Sequence, residues 1–131
     1  MKFAKTIIYV EDVEASLAFF EKAFGMKTSV VQPGSYGEVE SGQTVIAFGS
    51  YASGQQHLPD GYVAGAPSSS TVSVELSLVS ERVEADFARA IAAGAVGLRA
   101  PEVKPWGQIS SYLRTPDGII VDLASPAPAW T

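Results

Sequence analysis

Residues 13–26 read VEASLAFFEKAFGM and residues 83–95 read VEADFARAIAAGA. Both open on Val-Glu-Ala and both close at a glycine, the residue that most readily ends a helix. Leu17, Phe20 and Phe24 fall at i, i+3 and i+7, and Val83, Phe87 and Ile91 at i, i+4 and i+8. Each stretch therefore predicts an amphipathic helix with one apolar face. Asp12 is a candidate N-cap for the first helix and Ser80 for the second.

The flanks repeat as well. A β-branched stretch precedes each helix, KTIIYV at 5–10 and TVSVELSLV at 71–79. A short strand is expected after each, near 27–32 and 97–100, followed by a hairpin. The first hairpin joins 36–40 to 44–48, and the second joins 108–114 to 119–124 across Pro-Asp-Gly. The coarse reading is βαβββ twice, an α+β fold of two tandem modules around a mixed sheet with the helices outside. Module 1 covers about residues 1–52 and module 2 about 71–126. Between them the Ser-, Gly- and Pro-rich run SYASGQQHLPDGYVAGAPSSS (50–70) reads as a connecting loop, centred on about 53–70.

Composition removes several function classes. The 131 residues contain no cysteine, which excludes disulfides, thiolate catalysis and cysteine-ligated metals. A net charge of −5 without a basic run argues against nucleic-acid binding. No apolar run reaches the roughly 18 residues of a membrane span, and the start lacks a signal-peptide pattern, so a cytoplasmic protein is expected. Neither a Gly-rich phosphate loop nor a GxSxG elbow is present.

Three stretches carry a family resemblance: IIYVEDVEASLAFFEKAFGM, VELSLVSERVEADFARAIAAGA and KPWGQISSYLRTPDGIIVDLASP. They resemble the vicinal oxygen chelate superfamily, which includes glyoxalase I, extradiol dioxygenases, fosfomycin resistance enzymes and bleomycin resistance proteins. The resemblance implies a cup-shaped sheet and, in metal-binding members, one ligand from the first and last strand of each module. Lys5 stands seven residues before Asp12, where those members have His. Offsets of 70 and 75 between the halves then give Lys5, Ala47, Glu75 and Asp122 as the family's metal positions.

That set is not a competent metal site. An ammonium repels a divalent ion and alanine has no donor. No metal and no other cofactor is therefore expected. Asp122, an acid amid Ile, Val and Leu, needs a partner, since a lone buried carboxylate is costly. The expected partner is the Lys5 ammonium, in the lost cation's place and shared with Glu75.

Tyr9 alternates with Lys5 and is expected in a cavity wall, whereas Phe48 is assigned to the core. Trp106, in KPWGQ, resembles the Pro-Trp-Gly stretch of bleomycin resistance-type binders, and Tyr112 is a further candidate for that aromatic wall. His57, the only histidine, reads as an exposed loop residue. The expected function is metal-free binding of a polar or cationic aromatic small molecule by Lys5, Tyr9, Glu75, Trp106, Tyr112 and Asp122. The resemblance also implies a homodimer. The alternative is a glyoxalase-type lyase, isomerase or dioxygenase with a noncanonical metal or with Glu75 and Asp122 as acid and base.

Overall fold

Two copies of one strand order organise the chain. The computed structural model describes residues 3–58, 60, 62, 64 and 74–128, and the chain divides into two units, residues 1–65 and 66–131. The first unit runs β1 (Lys5–Val10), α1 (Val13–Phe24), β2 (Thr28–Gln32), β3 (Tyr36–Glu40), β4 (Val45–Ser50) and α2 (Tyr51–His57). Its sheet has the order β1-β4-β3-β2, with β1 parallel to β4 and the other pairs antiparallel. The second unit runs β5 (Glu75–Val79), α3 (Val83–Ala92), β6 (Val96–Val103), β7 (Ile109–Arg114) and β8 (Ile120–Ala124). Its order, β5-β8-β7-β6, is the same. The fold is α+β, built from two βαβββ modules as the repeat predicts. Register agrees too: Ile7 lies opposite Ala47 and Ser77 opposite Asp122, so offsets of 70 and 75 carry one pair onto the other.

Local chemistry sets the helix ends. Asp12 caps α1 by accepting from the Ala15 N–H at 3.0 Å. Gly25 ends it at φ 68°, a left-handed conformation that suits a residue without Cβ, with its N–H on the Glu21 carbonyl at 2.9 Å. The expected Ser80 cap is corrected. Arg82 occupies the N-cap position of α3, without a side-chain capping bond. Ser80 braces the turn from outside, accepting from the Arg82 N–H at 2.8 Å and donating to Asp86 at 2.5 Å. The connecting-loop expectation is also corrected at its start. Ser50 accepts from the Ser53 N–H at 3.1 Å and starts α2, a helix that the weak propensity of Gly54 conceals in the sequence.

Strand alternation sends one set of side chains toward each module's helix. In the first module Phe48, Ile46 and Val39 are buried with Phe20, whose ring lies 4.8 Å from that of Phe48. Phe48 is thus a core residue. Gly37 lets α1 settle on β3, since a Cβ there would stand 2.6 Å from a Leu17 methyl. In the second module Val83, Ala90, Leu113, Val121 and Leu123 are buried. Among the described residues no helix is long and apolar enough to cross a membrane.

Candidate functional site

The opposite face of the first sheet carries a row of register partners. Gln32 on β2 pairs with Tyr36 on β3, Tyr36 with Gly49 on β4, and Gly49 with Tyr9 on β1. Paired residues share a face of the sheet. The glycine thus separates two tyrosines, which strand spacing places roughly 10 Å apart at their Cα atoms. A cavity of about 230 Å³ lies over this row. Ile7, one turn of the pleat from Tyr9, adds apolar floor. Ser35 and the α2 residues Ser53 and His57 close the side.

Both aromatic walls are held by other contacts. The Tyr9 ring sits 5.1 Å from that of Tyr62, whose hydroxyl donates to the Tyr51 carbonyl at 3.0 Å. Burial raises the Tyr62 phenol above its ordinary value. Gly54 makes room for this stack, because a Cβ there would lie 3.0 Å from both rings. Gly54→Ala gains about 1 kcal/mol of helix propensity and incurs about 1–3 kcal/mol of overpacking. The expected net result is a destabilisation of up to about 2 kcal/mol, measured by thermal melts.

Tyr36 is fixed through its hydroxyl, which donates to Glu38 at 2.5 Å and accepts from the Lys5 ammonium at 3.0 Å. Lys5 also donates to Glu38 at 2.6 Å. The bond to Glu38, then that to Tyr36, pushes the Lys5 ammonium up. The bonds from Lys5 and then Tyr36 hold Glu38 below the usual carboxylate range. Burial, then the bond to Glu38, raises the Tyr36 phenol.

These shifts fix the sign of a pH effect. A carboxylate with a depressed value stabilises the fold above its unfolded value, about 4.3, and loses that contribution as pH falls through the folded one. An ammonium with a raised value stabilises fully below about 10.4 and loses that contribution as pH rises further. Glu38→Gln is expected to flatten both limbs of a Tm-against-pH profile, and a profile unchanged from wild type would contradict the cluster.

The expected ion pairing is therefore corrected. Lys5 finds a carboxylate in its own module, on Glu38, two strands away across β4. Asp122 is served by two hydroxyls of the second module, Ser77 at 3.2 Å and Ser110 at 3.1 Å. That is how an acid is accommodated on β8. Tyr112 is its register partner on β7, and Glu75 lies exposed at the start of β5. Trp106 stands half exposed at the tip of the β6–β7 hairpin, where its indole donates to Gln108 at 2.9 Å. The turn is closed by the Gly107 N–H on the Lys104 carbonyl at 2.8 Å.

The residues at the family's metal positions do not fit a divalent ion. Lys5 is a protonated donor, Ala47 is a methyl group, and both oxygens of Asp122 already accept serine hydroxyls. Among the described residues no three His, Cys, Asp or Glu side chains gather as a ligand set.

Tyr9 is among the residues lining this cavity. Sequence reasoning missed Tyr36, Gly49, Gln32 and Ser53, and it placed His57 in an exposed loop. His57 is exposed as expected, but it ends α2 instead of lying in a loop, and it lines the cavity. The period-2 alternation of Tyr36 with Glu38 was the one signal available for that wall.

The chain is similar to solved structures over nearly its whole length. A glyoxalase-related enzyme from Fulvimarina pelagi is 25% identical, with a TM-score of 0.80 over 96% of this chain and 88% of that one. A glyoxalase/bleomycin resistance protein/dioxygenase family enzyme from Burkholderia phytofirmans PsJN is 20% identical, with a TM-score of 0.75 over 93% and 96%. TioX from Micromonospora sp. ML1 is 16% identical, with a TM-score of 0.71 over 95% and 98%. No curated protein matches the chain. The family model of the Glyoxalase/Bleomycin resistance protein/Dioxygenase superfamily matches residues 2–123. With that match and the duplicated βαβββ fold, the chain belongs to this superfamily.

Proposed function

We propose that this protein binds a compact polar aromatic molecule without a metal, in the cavity over the first module's sheet. The observation that carries the reading is the row Tyr36–Gly49–Tyr9, two braced aromatic side chains with a glycine between them beneath about 230 Å³ of space. Flat rings gain from burial against aromatic faces, and braced walls lower the ordering cost of binding. Drug-sized pockets run to roughly 300–1,000 Å³, so the cavity suits one or two fused rings. Among the described residues its lining holds no carboxylate and no lysine or arginine. The nearby Lys5–Glu38 pair is neutral in sum, which favours a polar ring over a strongly charged one.

The proposal extends to ligand contacts by Lys5 beside this cavity and, on the second module, by Glu75, Trp106, Tyr112 and Asp122. A homodimer, implied by the family resemblance, completes it. The test is titration of chelator-treated protein with 2-quinolone, a flat bicyclic probe, read by tyrosine fluorescence. Saturable one-to-one binding that survives the chelator is expected. Binding that appears only with added manganese, nickel, zinc or iron(II), together with turnover of a hemithioacetal or a catechol, would replace the reading with the enzymatic one.

A further inference from the structure

The row of register partners continues past Tyr36 to Gln32, and this end of the cavity has chemistry of its own. Three hydroxyls of the lining have already committed their protons. Tyr36 donates to Glu38, Ser35 to the Gln32 carbonyl at 3.3 Å, and Ser53 to the Ser35 carbonyl at 3.4 Å. Those groups keep only acceptor capacity. The Gln32 side-chain amide, by contrast, has no hydrogen-bond partner among the described residues. It keeps both its N–H donors and its carbonyl acceptor.

We infer that Gln32 is the specificity-determining residue of this cavity and selects a planar ring whose edge carries an adjacent N–H and C=O, a lactam. The inference rests on the binding site proposed above. A carboxamide presents donor and acceptor side by side in one plane, and a lactam edge presents the complementary pair, so two parallel hydrogen bonds form. The same amide geometry reads the adenine edge in nucleic-acid recognition. Register places Gln32 one strand beyond Tyr36, so a ring lying over Tyr36 and Gly49 brings its edge to that amide. A ring lacking the N–H leaves the amide carbonyl facing an apolar edge and loses the paired geometry.

The experiment titrates wild type, Gln32→Leu, Gln32→Glu and Gly49→Val with 2-quinolone and with N-methyl-2-quinolone. The methyl derivative keeps the ring and carbonyl but loses the donor. Wild type is expected to prefer 2-quinolone roughly ten- to a hundredfold, the range of one bidentate pair. Gln32→Leu is expected to lose most of that preference, whereas Gln32→Glu, whose carboxylate still accepts the lactam N–H but has no donor for the carbonyl that both probes keep, is expected to retain the preference and bind both probes more weakly. Equal binding of the two probes by wild type, or a preference unchanged in Gln32→Leu, would overturn the assignment of Gln32 and leave the cavity's role standing. Failure of wild type to bind either probe, or full binding by Gly49→Val, would overturn the cavity itself.

Discussion

Gly49→Val is expected to lower affinity for a flat ring roughly thirty- to several-hundredfold while leaving the fold in place. A Cβ at position 49 would stand 3.4 Å from the nearest Tyr9 ring carbon and 3.8 Å from an Ile7 methyl. These are contact distances, so β4 admits a side chain there. β-branched residues also suit a strand. The γ-methyls of valine then enter the cavity between Tyr9 and Tyr36, where the ring would lie. Burial of an aromatic ring contributes about 1.5–3 kcal/mol and its aromatic contacts about 0.5–1.5 kcal/mol. Losing most of both amounts to roughly 2–4 kcal/mol, at about 1.4 kcal/mol per tenfold. An unchanged Kd in a variant with native circular dichroism would remove Gly49 from the site.

Phe20→Ala has the largest expected effect on stability. Phe20 is fully buried, with the rings of Phe48 at 4.8 Å, Phe24 at 5.2 Å and Phe19 at 5.8 Å. Truncating a core phenylalanine costs about 3–5 kcal/mol, because the lost transfer energy is joined by a cavity that neighbours fill only in part. Against a total of roughly 5–15 kcal/mol for a folded domain, that is a large share. Tm is expected to fall on the order of 10–20 °C. A shift of only a degree or two in a thermal melt would mean that α1 does not depend on this cluster.

The fold was more legible in the sequence than the site, for a physical reason. Helix periodicity, the Asp12 cap and the duplicated Val-Glu-Ala segments are local signals, and offsets of 70 and 75 carry them into the correct strand register. The site depends on neighbours set by pairing across several strands. Tyr36, Gly49 and Tyr9 are far apart in sequence and meet only because β4 lies between β1 and β3. Lys5 likewise reaches Glu38 diagonally across β4. The repeat points to its counterpart positions in the second module, whereas the acid Lys5 meets lies two strands away in its own. Asp122 was correctly seen to need partners, but serine hydroxyls carry no pattern that announces them. His57 reads as a loop residue because α2 has a glycine at its centre, and that glycine is the residue admitting the Tyr9–Tyr62 stack.

Amide NMR of the chelator-treated full chain, titrated with 2-quinolone, tests the central claim most directly. The account predicts saturable shifts concentrated at Tyr9, Gln32, Tyr36, Gly49 and Ser53 in the absence of metal. Shifts confined to residues around Ser77, Tyr112 and Asp122, or a spectrum that responds only after a divalent ion is added, would contradict it.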